Sequence, residues 1–477
     1  MDVNRIPRRL AACAAALVLT LTLAPATGAA DVEFPAELAD TLETLPDGST
    51  PQSTGDPADR HSANMVLVAN WDDGGTYRTG SDLAFWGSRM IAGNLASGSN
   101  LGGFRIVDIG NPAAPAELGQ FTCRSSQADV SVWKNLVFVS VDTPLDRPGC
   151  EGAVNAGAVQ VTSGQAYEGI RIVSISDPAN PRQLAFVDTD CGSHTNTLVP
   201  DEANGRLLLY VLSYPLGGQG TECNAESHRK ISVVEVPLKN PAAARVIATP
   251  DVSPAVGCHD VTVFTGRKLA AAACITESQI WDISDPAAPR VVAHIANPAI
   301  NIQHTATFSW DGDTVVIGDE LGGAAVAPGC VDGNEHLPLG ALWFYDVSNP
   351  AAPALRGTFS TPQQDVSALC TAHNFNTVPT RTAADVLVAA WYDGGTTVVD
   401  FSDPSAARQL GFYTPTAPRP ATAWSSYWYR GFIYANNYEN TAPSRGIDVM
   451  AIGDPLLKGA IKVNRLNPQT MEPLPQQ

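Results

Sequence analysis

The sequence predicts an all-β fold, a seven-bladed β-propeller of four-stranded antiparallel blades, on three observations: one hairpin pattern occurs seven times, two further apolar runs precede each copy, and a lone strand precedes the first. The copies are Phe104–Pro112 (FRIVDIGNP), Ile170–Pro178 (IRIVSISDP), Ile231–Pro241 (ISVVEVPLKNP), Gln279–Pro286 (QIWDISDP), Trp343–Pro350 (WFYDVSNP), Thr397–Pro404 (TVVDFSDP) and Ile447–Pro455 (IDVMAIGDP). Each is a β-branched or aromatic strand ending in Asp-Pro or Asn-Pro, where proline fixes φ and the Asx side chain bonds nearby backbone to open a turn. A second strand follows, as in Arg182–Val187 and Arg290–His294. The preceding runs, such as Val261–Phe264 with Leu269–Cys274, bring each repeat to four strands. An isolated four-stranded sheet cannot bury both faces, whereas a ring of sheets can. Asn64–Asn70, alone before the first repeat, is the strand expected to close that ring.

The organisation expected is a signal peptide over 1–30, a flexible acidic leader over 31–63, one propeller domain over 64–466 and a loose C-terminal tail over 467–477. Arg5, Arg8 and Arg9 supply the basic start of the signal, Leu10–Leu23 its apolar stretch and Thr27–Ala30 its small-residue cleavage zone. Arg8-Arg9 precede Leu-Ala-Ala-Cys, a poor match to a twin-arginine export signal. The apolar stretch is too short to span a bilayer and nothing comparable follows, so no membrane span is expected. The irregular spacing around Gln160–Gln165, Gly217–Lys230 and Gly322–Pro338 leaves room for long loops.

Hydrophobic residues make up 44% of the chain and charged ones 16%, which excludes a disordered chain. Removing residues 1–30 takes away three Arg and one Asp from 29 basic and 48 acidic residues, leaving a charge of −21. Such a chain repels nucleic acid and anionic lipid. Of nine cysteines, Cys13 leaves with the signal. The even number left, in an oxidising compartment, points to four disulfides. Sequence alone leaves connectivity open, but Cys123 with Cys150, Cys191 with Cys223, Cys258 with Cys274 and Cys330 with Cys370 would each close a local loop. A secreted or cell-envelope-associated monomer is expected.

The hairpins resemble the LVIVD repeat, and residues 64–463 resemble the bacterial secreted LVIVD-repeat propellers. Further motifs that carry the resemblance are Ser81–Trp86, Gly192–Pro200, Gly257–Asp260, Gly318–Gly323 and Ala372–Asn374. It implies the fold and little about chemistry, since a propeller hosts many unrelated functions.

Aligning the first strand of each repeat places His194, His259, His304 and His373 at one position in four consecutive blades, with Ser81, Ala128 and Ala423 in the other three. Asp82, Asp129 and Asp260 occupy the next position, and Asp319 and Glu320 end a neighbouring strand that shares the same face of the disc. Four imidazoles with carboxylates nearby suit iron, copper or zinc, the carboxylates orienting the rings. A competing reading comes from WD-repeat propellers, which the chain resembles in layout: there a histidine in this loop is tied to an Asp and a Ser or Thr and binds no metal. Strand alternation leaves open which set of side chains reaches the axis.

Other candidates are weaker. Cys258 beside His259 suggests a Cys/His nucleophile pair, but a disulfide competes for that cysteine. The Gly-Gly pairs lack a following Lys-Ser/Thr and are turn glycines. The tryptophans are expected to pack blades. The expected function is therefore an exported binding or interaction scaffold whose axial face takes a small molecule, a metal or a protein. The rival is a metal-dependent enzyme, redox or hydrolytic, with the four histidines as ligands and Glu320 or Asp319 as base.

Overall fold

The computed structural model describes residues 36–46, 59–72, 79–96, 101–150, 167–215, 228–321, 330, 338–363, 369–416, 422–438 and 445–475. The signal segment 1–30, Cys223 and most of the three long loops lie outside the described residues. Seven antiparallel sheets form, each with a four-stranded core. Blades 1 to 6 follow chain order and begin with innermost strands Gly80–Trp86, Val130–Trp133, Thr195–Asp201, Asp260–Phe264, Gln303–Phe308 and Phe375–Thr377. Blade 7 has Thr422–Tyr429 innermost and takes Met65–Trp71 as its outermost strand, antiparallel to Ile447–Ile452. That strand comes from the other end of the chain and closes the ring, as expected. Each innermost strand packs on the next, and that of blade 7 packs on blade 1.

The core lies between blades. Trp281 of blade 4 is buried with Tyr210 and Val233 of blade 3, and Phe344 of blade 5 stacks on Phe401 of blade 6. The Asx turns form as the sequence dictates: the side chains of Asn111, Asp177, Asp285, Asn349, Asp403 and Asp454 each accept from the backbone N–H two residues on. Asn240 is the exception, its side chain making no such bond. The outer strand pair of all seven blades carries a register shift. A bulge of this kind increases local twist, which suits a propeller blade. Among the described residues no helix is long and apolar enough to cross a membrane.

Two expectations about the ends need correction. The described part of the leader is docked: Leu38 of the helix Ala36–Leu42 is fully buried and the helix packs on Ile447–Ile452. Arg60–His61 adds a fifth strand to blade 6, and buried Asp59 accepts from the Tyr413 hydroxyl at 2.6 Å. The tail is not loose over its described length, because it enters the channel. Arg465–Leu466 pairs with Phe85–Trp86 of blade 1, and Thr470–Met471 runs parallel to Val263–Phe264 of blade 4. Between them Asn467 exchanges bonds with both backbone groups of Val132 in blade 2, at 2.7 and 3.0 Å. Thr470 donates to the Leu198 carbonyl of blade 3 at 2.6 Å. Both segments are polar in composition, but a few buried side chains with backbone partners fix them, and average polarity does not register those.

Disulfides Cys123–Cys150, Cys258–Cys274 and Cys330–Cys370 form as expected. Cys191 is also disulfide-bonded. The bond to Cys274 removes Cys258 as a partner of His259 in nucleophilic catalysis.

Candidate metal centre

The four histidines meet at the axis and all are buried. The backbone N–H groups of His194, His259 and His373 donate to Leu212, Ala273 and Ala390, the last residues of the second strands of blades 3, 4 and 6. In blade 5 the register shifts between Gln303 and Thr305, so His304 sits on a bulge. The rings run in an arc, with centroid separations of 4.5 Å from His194 to His259, 3.7 Å from His259 to His304 and 4.4 Å from His304 to His373.

Their hydrogen bonds divide them. His194 Nδ1 meets Asp142 Oδ2 at 2.7 Å, the tie that a loop-holding histidine makes. His373 Nδ1 meets the carbonyl oxygen of Trp424, which can only accept, so Nδ1 carries the proton and Nε2 is a bare lone pair. His304 Nδ1 lies 2.8 Å from Thr305 Oγ1, whose own proton goes to Asn374 Oδ1 at 3.3 Å. Its Nε2 is therefore bare as well. Both lone pairs face one carboxylate: His304 Nε2 stands 3.5 Å from Glu320 Oε2, and His373 Nε2 3.6 Å from Glu320 Oε1. The nearest donor atoms of the three residues all lie within 4.8 Å of one another.

Glu320 and its neighbour Asp319 have separate roles: Asp319 ends its strand, Glu320 follows it, and the two side chains meet different partners. Asp319 accepts from the backbone N–H groups of Asn301, Ile302 and Gly340 at 2.9, 3.0 and 3.0 Å. It holds two loops together and is not placed to act as a base. Glu320 takes the Tyr392 hydroxyl on Oε1 at 2.7 Å and otherwise faces the two imidazoles. Burial pushes its carboxyl up to about 7. Burial also holds the His373 imidazole down to about 3, and those of His259 and His304 well below their usual value. The rings are thus neutral, the form in which imidazole binds metals.

A cavity of about 20 Å³, counted as room for the centre of a water molecule, lies among His259, His304, His373, Asp82, Asp129, Asp260, Trp424 and Gln469. That volume holds about one water or one ion. The three aspartates line it, as expected, but each has protein partners. Asp82 accepts from the Tyr427 hydroxyl and Leu83 N–H, Asp129 from Asn196 N–H at 2.7 Å, and Asp260 from Val261 N–H at 2.8 Å. Burial raises all three, Asp260 to about 8, and the Asp82 charge raises Asp129 further. The aspartates thus line the cavity next to the His–Glu group, where burial disfavours their charged forms.

Sequence reading missed Gln469, which arrives from the tail and donates to Asp82 at 3.3 Å. It also missed Tyr214, whose ring lies 5.0 Å from His194. Tyr214 follows a second strand, as Glu320 does, and that shared position was the available signal.

This site at the axis of a seven-bladed ring defines the class: a β-propeller with a buried His–Glu cluster. The LVIVD repeat model matches residues 98–123 and 341–361, the outer hairpins of blades 1 and 5, so the chain carries LVIVD repeats. No curated protein matches it in sequence. Among solved structures it is similar to Kuenenia stuttgartiensis hydrazine synthase, with a TM-score of 0.52 and 13% identity over 77% of this chain and 93% of that one. A protein from Lactobacillus plantarum gives 0.48 and 12% over 81% and 100%. A hypothetical selenium-binding protein from Sulfolobus tokodaii gives 0.42 and 11% over 68% and 77%. At these identities the likeness concerns the fold alone.

Proposed function

We propose that this chain is an exported propeller whose axial face binds a first-row transition-metal ion through His304, Glu320 and His373. The observation that carries the reading is the pair of bare Nε2 atoms facing one carboxylate. Once Glu320 is ionised, three acceptors converge with no donor between them among the described residues, and a cation satisfies all three. Two imidazoles and a carboxylate with further positions open form the set used by non-haem iron, and imidazole also suits copper and zinc. Such an ion supplies Lewis acidity or a redox couple. The protein's own part is orientation: Trp424 and Thr305 fix the two rings, and Tyr392 fixes the carboxylate. Export is supported by the basic-apolar start of the chain and by the disulfides.

Elemental analysis of untagged protein, exported into an oxidising compartment and dialysed against a mild chelator, tests this. A stoichiometric transition metal that disappears in His304→Ala and His373→Ala is the expected result. Wild-type protein that stays metal-free after incubation with Fe(II), Cu(II) and Zn(II) in turn would leave these residues as structural.

A further inference from the structure

The other two histidines of the arc pose a separate problem. His194 Nε2 and His259 Nε2 stand 2.9 Å apart with their rings at 69°. Asp142 Oδ2 accepts from His194 Nδ1, so the neutral imidazole presents a lone pair at Nε2. His259 then has two choices, and neither satisfies it. With its proton on Nε2 it donates to His194, but Nδ1 becomes a buried lone pair that meets no donor. With its proton on Nδ1, two lone pairs oppose each other at 2.9 Å.

We propose that His194 and His259 bind a second metal ion through their Nε2 atoms, which makes the axial centre dinuclear. This rests on the reading of His304, Glu320 and His373 as the first position and extends it along the arc. An ion accepts both lone pairs at once and leaves His259 Nδ1 free to carry its proton.

The geometry is close to that of a bound pair. Two nitrogens about 2.0 Å from one ion at a tetrahedral angle stand roughly 3.3 Å apart, so the contact has to open by only a few tenths of an ångström. One more group borders the position, and another supports it. The Tyr214 hydroxyl lies 3.4 Å from His194 Nε2, and Asp142 on Nδ1 orients the His194 ring from behind. A mainly nitrogen donor set selects zinc or copper over magnesium or calcium. The position is distinct from the first, since His194 and His259 do not fall within the compact group formed by His304, Glu320 and His373.

The test is the stoichiometry of Zn(II) retained by the full mature chain, measured by elemental analysis and by titration of chelator-stripped protein. Two equivalents are expected in the wild type, one in His194→Gln/His259→Gln and one in His304→Ala/His373→Ala. One equivalent in the wild type overturns the proposal whatever the variants do. If that single ion survives His194→Gln/His259→Gln, the first position stands alone; if it is lost from both double variants, one ion is shared by all four histidines. No retained zinc, iron or copper removes both positions together. The wild-type count needs no variant to fold, so misfolding of a double variant does not rescue the claim.

Discussion

The rim and the axis of this molecule use the same residue types to opposite ends. At the rim, Asp346 closes the outer hairpin of blade 5 by accepting from Ser348 N–H and hydroxyl at 3.0 and 2.7 Å and from Arg356 at 2.5 Å. Those donors hold its carboxyl down to about 2. At the axis of the same blade, burial pushes Glu320 up to about 7 with the Tyr392 hydroxyl as its one strong donor. A rim carboxylate is matched to its charge, whereas the axial one awaits a partner. The contrast teaches where to look in a repeat fold: where the repeat satisfies itself it builds scaffold, and where it leaves converging acceptors it builds a site.

The strongest way to break the comparison is Glu320→Gln, which keeps the shape and removes the charge. Metal retention is expected to fall by more than ~100-fold in chelator competition, since even groups that only orient a ligand are worth 10–100-fold. Unchanged retention would show that Glu320 is no ligand. A pH series sharpens the same point. With Glu320 titrating at about 7 and His373 at about 3, a metal entering between pH 5 and 7 displaces one proton, that of Glu320. Affinity is expected to rise about tenfold per pH unit in that window and to level off above it. A rise that continues to pH 9 points to some other ligand proton.

Tyr392→Phe removes the donor that orients Glu320 and leaves the three ligands, so a loss of roughly tenfold in affinity is expected, with the stoichiometry kept. Asp346→Asn is the rim counterpart and is expected to leave metal binding unchanged. Its effect belongs to stability. A carboxyl whose folded value is depressed stabilises above its unfolded value near ~4, and that contribution is lost as pH falls towards about 2. Denaturation midpoints of variant and wild type should therefore differ at pH 7 and converge at pH 2.

How much of this was legible follows from the repeat itself. The Asx-Pro hairpins are local chemistry, so Asn111, Asp285 and Asp403 announce their turns in sequence, and Met65–Trp71 announces itself by standing alone. The four histidines were found because a repeat makes equivalent positions comparable. Asp319 and Glu320 were not separable, because they are adjacent carboxylates at the end of one strand and no local signal says which side chain turns to the axis. The lone pairs were also hidden: the protonation of His373 depends on a carbonyl 51 residues away in the next blade. Gln469 was invisible for a similar reason, since nothing in the composition of the last residues shows that they thread the channel.

The most direct test of the axial claim is an anomalous difference map from crystals of the metal-loaded protein. The account predicts a peak about 2.0–2.2 Å from Nε2 of His304, Nε2 of His373 and a carboxylate oxygen of Glu320. A fully loaded protein with no peak at that point, or with its metal bound elsewhere, would contradict it.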